Sequence, residues 1–193
     1  MNLLLLGLVV FLGVHSVRIT AEGWRTRTIS RMGENPWKMA YTVLSLVGFG
    51  LIVWGYGLAR QAPVTLWTPP RGMSHLAGLL MLVSFVLLAA PYVPRNGIKA
   101  RLHHPMLLSV KVWALAHLLA NGTVADVVLF GSFLVWAALC FRAARQRDRA
   151  ADVRYAPGTT RGTLITVAVG IVAWVVFAFW AHGPLIGVRP FGG

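Results

Sequence analysis

Acidic side chains are almost missing from this chain. Its 193 residues include five Asp or Glu against 18 Lys or Arg, giving a formal net charge of +13. The five are Glu22, Glu34, Asp126, Asp148 and Asp152. Paired-carboxylate acid–base catalysis has almost no material here, and neither does a carboxylate cage for a hard cation. Cysteine is scarcer still. Cys140 is the only one, which excludes an intramolecular disulfide and any Cys-x-x-Cys site. It lies in an apolar run near an Arg-rich end and reads as inert packing. Charge of either sign is low, at 12% of residues, where a soluble domain carries about 25%. The chain has no nucleophile elbow, phosphate loop or His-Glu-x-x-His motif, and no internal repeat or low-complexity segment.

Apolar residues are what it has instead. They make up 57% of the chain, and the mean hydropathy is +0.69. The length fits one domain, 1–193. A helix crosses the hydrocarbon core with about 20 mostly apolar residues, or as few as ~17. Spans are predicted at roughly 2–18, 38–58, 74–93, 105–121, 124–141 and 163–184. The first run, LLLLGLVVFLGVHSV, lacks a basic leading region and a small-x-small cleavage site, so it is expected to stay as a helix. Asn121-Gly122-Thr123 joins the fourth and fifth spans. Asn-Gly ends one helix, Thr123 caps the next, and Asp126 completes a capping-box pattern. Pro91 and Pro94 end the third span; Pro36 and Pro63 bracket the second. The expected fold is therefore all-α, a polytopic transmembrane helix bundle of about six spans.

The basic residues give the orientation. Loop 19–37 with its flanks holds Arg18, Arg25, Arg27, Arg31 and Lys38. Loop 94–104 holds Arg95, Lys99 and Arg101. Loop 142–162 holds Arg142, Arg145, Arg147, Arg149, Arg154 and Arg161. These alternating loops collect 14 of the 18 basic residues, while the other side has Arg60, Arg71 and Arg189. Both termini are expected outside the cytoplasm. The basic residues flank apolar runs, with no basic helix or stacking platform, so their partner is the anionic surface of the bilayer and not nucleic acid.

An ionisable residue inside a membrane is expensive and marks a functional candidate. With carboxylates so few, the candidates are histidines and one lysine: His15, His104, His117 and Lys111. Imidazole is the usual protein ligand of haem iron, and an apolar helix bundle is a natural place for a porphyrin. A hydrogen-bonded structural histidine is the competing reading for each. His75 and His182 lie near span ends at headgroup level, His103 is expected in solvent, and Asp126 reads as a cap. His104 and His117 are ~20 Å apart along one helix, so they do not ligate one iron together. Lys111, seven residues after His104, lies on nearly the same face. It either meets an anionic group or snorkels to the headgroups. His15 lies three residues before Arg18 on one side of its helix.

The stretch His104-Pro105 followed by LLSVKVWALAHLLANGTVADVVLFGSFLVWA resembles the core of the NnrU family. FLGVHSVR at Phe11 to Arg18 and MAYTVLSLVGFGLIVWGY from Met39 carry the same resemblance, which covers nearly the whole chain. It implies a bacterial inner-membrane protein associated with denitrification, in nitrite and nitric oxide metabolism. The pattern is also similar to zeta-carotene isomerase, a membrane enzyme of plants and cyanobacteria that uses haem b. That similarity implies His15 and His117 as haem ligands. Two positions depart from it. The Arg follows His15 by three residues, at Arg18, not seven, and Ala114 stands where the isomerase has a cysteine. His103-His104-Pro105 is a partial match to the Arg-His-Pro of isoprenylcysteine methyltransferases, without the Arg.

The resemblance implies a haem-associated accessory or redox-linked factor. The alternatives are a haem-dependent isomerase-like enzyme acting on an apolar isoprenoid, and a non-catalytic partner that helps a membrane reductase assemble. Membrane depth leaves the ligand pair open. His15 falls near the cytoplasmic end of its span and His117 near the outer end of the fourth, whereas His15 and His104 match in depth.

Orientation is testable with single cysteines beside Arg147 and Arg189 in a Cys140→Ser background. An impermeant thiol reagent on intact cells is expected to label the site near Arg189 and spare the one near Arg147. The reverse pattern overturns the orientation.

Overall fold

In hydrocarbon no water is available to backbone N–H and C=O groups, so an apolar chain satisfies them internally by forming helices. The computed structural model describes residues 1–191 and has no β-strand among them. The domain expected over 1–193 therefore ends on Gly192 and Gly193, which lie outside the described residues. The helices are α1 (Asn2–Thr20), α2 (Glu22–Met32), α3 (Glu34–Ala59), α4 (Met73–Ala89), α5 (Gly97–Leu102), α6 (Pro105–Ala120), α7 (Val124–Ala150) and α8 (Thr160–Val176). A π-helical turn at Phe177–Ala181 then leads into α9 (His182–Ile186).

Four stretches are long and apolar enough to cross a membrane: α1, α3, α7 and the continuous run Thr160–Ile186. Two further apolar helices, α4 and α6, have 17 and 16 residues. Two segments expected as loops are helical. Residues 22–32 form α2, which buries none of its side chains. The Arg-rich run after the fifth span continues α7 to Ala150, because Arg, Ala and Gln are good helix formers and no Gly or Pro interrupts them.

The chain divides into two compact units. The first comprises residues 1–67 and 123–136. Its core is the antiparallel pair α1–α3, and glycines let the two backbones touch. A Cβ on Gly7 would lie 2.6 Å from the Ile52 nitrogen, and one on Gly48 would lie 2.8 Å from the Phe11 nitrogen. A Cβ on Gly55 would collide with the Leu4 backbone. Leu4, Leu8 and Ile52 are buried in this seam. The start of α7, in the same unit, carries the predicted cap. The Thr123 backbone N–H donates to Asp126 Oδ2 at 2.9 Å, and the Asp126 N–H to Thr123 Oγ1 at 3.3 Å. Asp126 also accepts from the Tyr56 hydroxyl at 2.5 Å.

The second unit comprises residues 68–122 and the chain from Ala137 on. Here α4 packs on both α6 and α8. The buried Ser84 on α4 donates to the Ser109 carbonyl of α6 at 2.9 Å, a polar contact that helices in lipid use in place of a hydrophobic driving force. On the α8 side, a Cβ on Gly170 would lie 2.5 Å from Val86 Cα. The buried Asn96 fixes the turn after α4. It donates to the carbonyls of Ala90 at 2.8 Å and Val93 at 2.6 Å, and its Oδ1 accepts from the Lys99 N–H at 2.8 Å. Thr159 caps α8 by accepting from the Gly162 N–H at 3.1 Å. Its own N–H donates to the Arg95 carbonyl at 2.7 Å.

Gly55 and Gly57 separate packing from propensity. A Cβ at Gly57 meets nothing within 4 Å among the described residues, so Gly57→Ala is expected to be neutral or to stabilise by about 0.5 kcal/mol. Gly55→Ala forces the α1 and α3 backbones apart and is expected to cost about 2 kcal/mol. Thermal unfolding in detergent compares them, and equal midpoints would refute the close seam.

Candidate functional site

His15 sits one turn from the C-terminal end of α1, within an aromatic box. Its ring stacks on Phe11 with centroids 4.2 Å apart, and lies 5.1 Å from Tyr41 and 6.1 Å from Trp136. His15 Nδ1 is 2.7 Å from the Phe11 carbonyl one turn back. A carbonyl only accepts, so Nδ1 carries the proton and the lone pair sits on Nε2. That is the tautomer an iron ligand needs, with its second nitrogen oriented by a hydrogen bond. Beside it opens a cavity of about 710 Å³, lined by His15, Tyr41, Trp37, Arg18, Arg25 and Lys38 among others. Small-molecule sites run to roughly 300–1,000 Å³. His15 and Arg18 line it together, as their spacing predicted. The Trp136 indole N–H is buried and has no hydrogen-bond partner among the described residues, which is uncommon for a buried donor.

His117 lies in the last turn of α6, in the second unit, and repeats the local device. Its Nδ1 is 2.8 Å from the Trp113 carbonyl, four residues back, which again places the lone pair on Nε2. The Asn121 amide donates to the His117 carbonyl at 2.9 Å and closes the helix end.

His104 is the N-cap of α6, and its chemistry differs. Its Nε2 is 2.8 Å from Asp148 Oδ2. A carboxylate accepts, so here Nε2 carries the proton. Tyr155 donates to the same oxygen at 3.0 Å. Burial, and then this bond to a carboxylate, pushes the Tyr155 hydroxyl above the usual tyrosine range, so it remains a donor at neutral pH. His103, expected in solvent, is half-buried. It accepts from the Arg145 guanidinium, and its ring lies 4.2 Å from Tyr155. Its backbone sits at φ 66°, a conformation a side chain adopts only when its surroundings hold it there. The sequence reading missed this cluster because it ended the fifth span at residue 141. The helical continuation brings Arg145 and Asp148, three residues apart and so on one face, to the α5–α6 junction.

Lys111 points its ammonium at Phe141, 5.2 Å from the ring centroid. The His104 ring meets the same phenyl edge-on at 6.3 Å. The structure thus brings Lys111 and His104 to one aromatic residue. Near the ends of their helices, His182 Nδ1 bonds the Val188 carbonyl at 2.6 Å, and His75 stacks on Phe191. Cys140 is buried. No group of three or more His, Cys, Asp or Glu side chains suited to a metal ion occurs among the described residues.

A family model described as NnrU protein matches residues 3–190. No curated protein and no solved structure matches the chain.

The acids of the second unit separate a buried polar staple from a surface pair. Asp148→Ala strands the His104 and Tyr155 donors and is expected to cost about 2 kcal/mol. Asp152, whose pair with Arg154 at 3.6 Å is nearly fully exposed, is expected to tolerate Asn, which accepts its φ of 45°, within about 0.5 kcal/mol. Denaturation midpoints of the two variants check this, and equal losses would show that the cluster carries no stability.

Proposed function

The chain belongs to the NnrU family, and from that membership we propose a six-span protein of the bacterial inner membrane that acts as a haem-associated accessory or redox-linked factor in nitrite and nitric oxide metabolism. In this reading α4 and α6 cross together with the four longer spans. Their lengths of 17 and 16 residues rise about 25 Å, and the turn between them carries Arg95, Lys99 and Arg101 to the basic side. Six crossings put both termini on one side, and the basic loops put that side outside the cytoplasm.

The observation that carries the haem reading is His15: an imidazole with its Nδ1–H tied to a carbonyl, in an aromatic box, at a cavity of ligand size. These residues fit a porphyrin. A site that needs three side-chain donors is not formed among the described residues, whereas a porphyrin brings its own four nitrogens and asks the protein for an axial imidazole. Haem b, when bound, supplies iron-centred redox and ligand chemistry. His15 would hold the group through Nε2, and His117, whose Nδ1 is tied to a carbonyl in the same way, is the second candidate residue. His104, whose Nε2 proton is directed at Asp148, is assigned to the polar cluster and not to iron. Lys111 is kept as a candidate partner for an anionic group, with Phe141 stabilising the ammonium.

The test is an absorption spectrum of the protein purified in mild detergent, before and after haem addition. A Soret band is expected to strengthen on addition. His15→Ala or His117→Ala is expected to diminish it, while His104→Ala and His182→Ala leave it intact. Lys111→Met is expected to weaken haem retention without lowering the yield of folded protein. No Soret band after supplementation would sink the reading. Loss on His104→Ala but not on His117→Ala would move the second ligand to His104.

A further inference from the structure

The cavity beside His15 is amphipathic. Its lining combines apolar side chains such as Val14, Val17 and Ile29 with the cations Arg18, Arg25 and Lys38. Glu34 also lines it, and Glu22 pairs with two of its cations. Glu22 is shared by Arg18 at 3.9 Å and Arg25 at 3.3 Å, and Glu34 meets Lys38 at 2.8 Å. One carboxylate offers about four lone-pair sites, whereas the two guanidiniums it serves carry roughly ten N–H donors. The whole stretch from Arg18 to Lys38 has five basic residues against these two acids. Arg25 has the least exposed side chain of the three cations, at 31%, although it lies on α2, a helix that buries none of its residues. Its guanidinium is therefore sheltered by the cavity walls.

The place in the chain matters as much as the charge. The cavity lies where α1 ends, α3 begins and α2 joins them, at the basic end of both spans. By the distribution of basic residues this end faces the cytoplasmic leaflet, which carries the anionic lipids. A ligand arriving there comes with an apolar body already in the membrane.

We infer that the cavity is a binding site for the anionic end, a phosphate or carboxylate, of a membrane-borne amphiphile, clamped by Arg18, Arg25 and Lys38 with its apolar body against Val14, Val17 and Ile29. Guanidiniums suit this task because their planar forks match an oxyanion in pairs. The oxyanion has two sources: the headgroup of an acidic phospholipid, or the carboxylate arms of a haem held at His15. Only the second rests on the haem reading.

The experiment uses the full chain, haem-free, in phosphatidylcholine nanodiscs doped with phosphatidylglycerol, with retained lipid counted by native mass spectrometry. A parallel titration follows haem by its Soret band. The triple variant Arg18→Gln, Arg25→Gln, Lys38→Gln is compared with Arg147→Gln, Arg149→Gln, Arg154→Gln, which removes the same charge elsewhere. The first set is expected to lower retention of the anionic amphiphile about tenfold or more, and the second to leave it unchanged. Thr42→Trp fills the cavity with every cation in place and is expected to lower retention as well. It keeps the test decisive where the triple variant fails to fold. Loss in the lipid arm assigns the phospholipid; loss confined to the haem arm assigns the carboxylates of haem. Retention of both ligands by the triple variant and by Thr42→Trp overturns the site, and so does displacement of the lipid by millimolar inorganic phosphate, which would make the ligand a soluble anion. A wild-type protein that binds lipid and no haem refutes the haem reading and leaves this site standing.

Discussion

With a net charge of +13 and five carboxylates, where each carboxylate goes decides what the remaining polar groups are available to do. Two of them join segments distant in sequence. Asp126 receives the Tyr56 hydroxyl from 70 residues away while capping its own helix, and Asp148 receives His104 from 44 residues away together with Tyr155. Both are largely shielded from solvent, where a hydrogen-bonded acid is worth far more than at a surface and its removal costs more. Glu22, Glu34 and Asp152 make local, exposed pairs that contribute little. The acids are thus consumed by structure, and the chemistry left over is imidazole and excess cation. The cavity at the end of α1 is one place where those two occur together.

That coincidence depends on helix packing. In lipid, apolar side chains gain nothing by exchanging lipid for one another, so close approach of small residues and a few polar contacts hold the pairs. Gly7, Gly48 and Gly55 set the antiparallel register of α1 on α3, with Leu4 at Gly55 and Phe11 at Gly48. Carried one turn further, the same register brings His15 to the turn of α3 that holds Tyr41, and their rings meet. The helix ends then splay into α2 and the basic residues that line the cavity. A change at Gly55, far from His15 along the helix, would therefore reach the site through the register.

Much of this architecture was legible in the sequence because the governing signals are local. Apolar runs gave the helices, Pro91 and Pro94 the end of α4, and Thr123 with Asp126 the cap of α7. The relation of His15 to Arg18 followed from helical spacing. Two features escaped for one reason: a charged run reads as a solvated loop, although charge does not oppose a helix that leaves the bilayer. Hence α2 was missed, and so was the extension of α7 that carries Arg145 and Asp148 to His103 and His104. Lys111 over Phe141 was out of reach for another reason. A residue at 111 and one at 141 meet only through tertiary packing, and no period in the sequence encodes it.

His15 and His117 share a tautomer, and that alone does not make either a ligand. An imidazole inside an apolar helix must place its N–H somewhere, and the carbonyl four residues back is the nearest acceptor; a lone pair left over is tolerated better than a buried donor. A purely structural histidine would look the same at this level. The surroundings separate the two. At His117 the Asn121 amide donates to the His117 carbonyl and closes a helix end, a contact the fold itself accounts for. At His15 the neighbours are a cavity, three cations sharing two carboxylates, and a buried indole N–H with no acceptor. None of these stabilises the folded chain: unneutralised cations repel, and a stranded donor costs about 1–3 kcal/mol. Features that cost stability are retained where something else uses them, and an oxyanion on an apolar body answers the cations. The weight of the site therefore falls on His15.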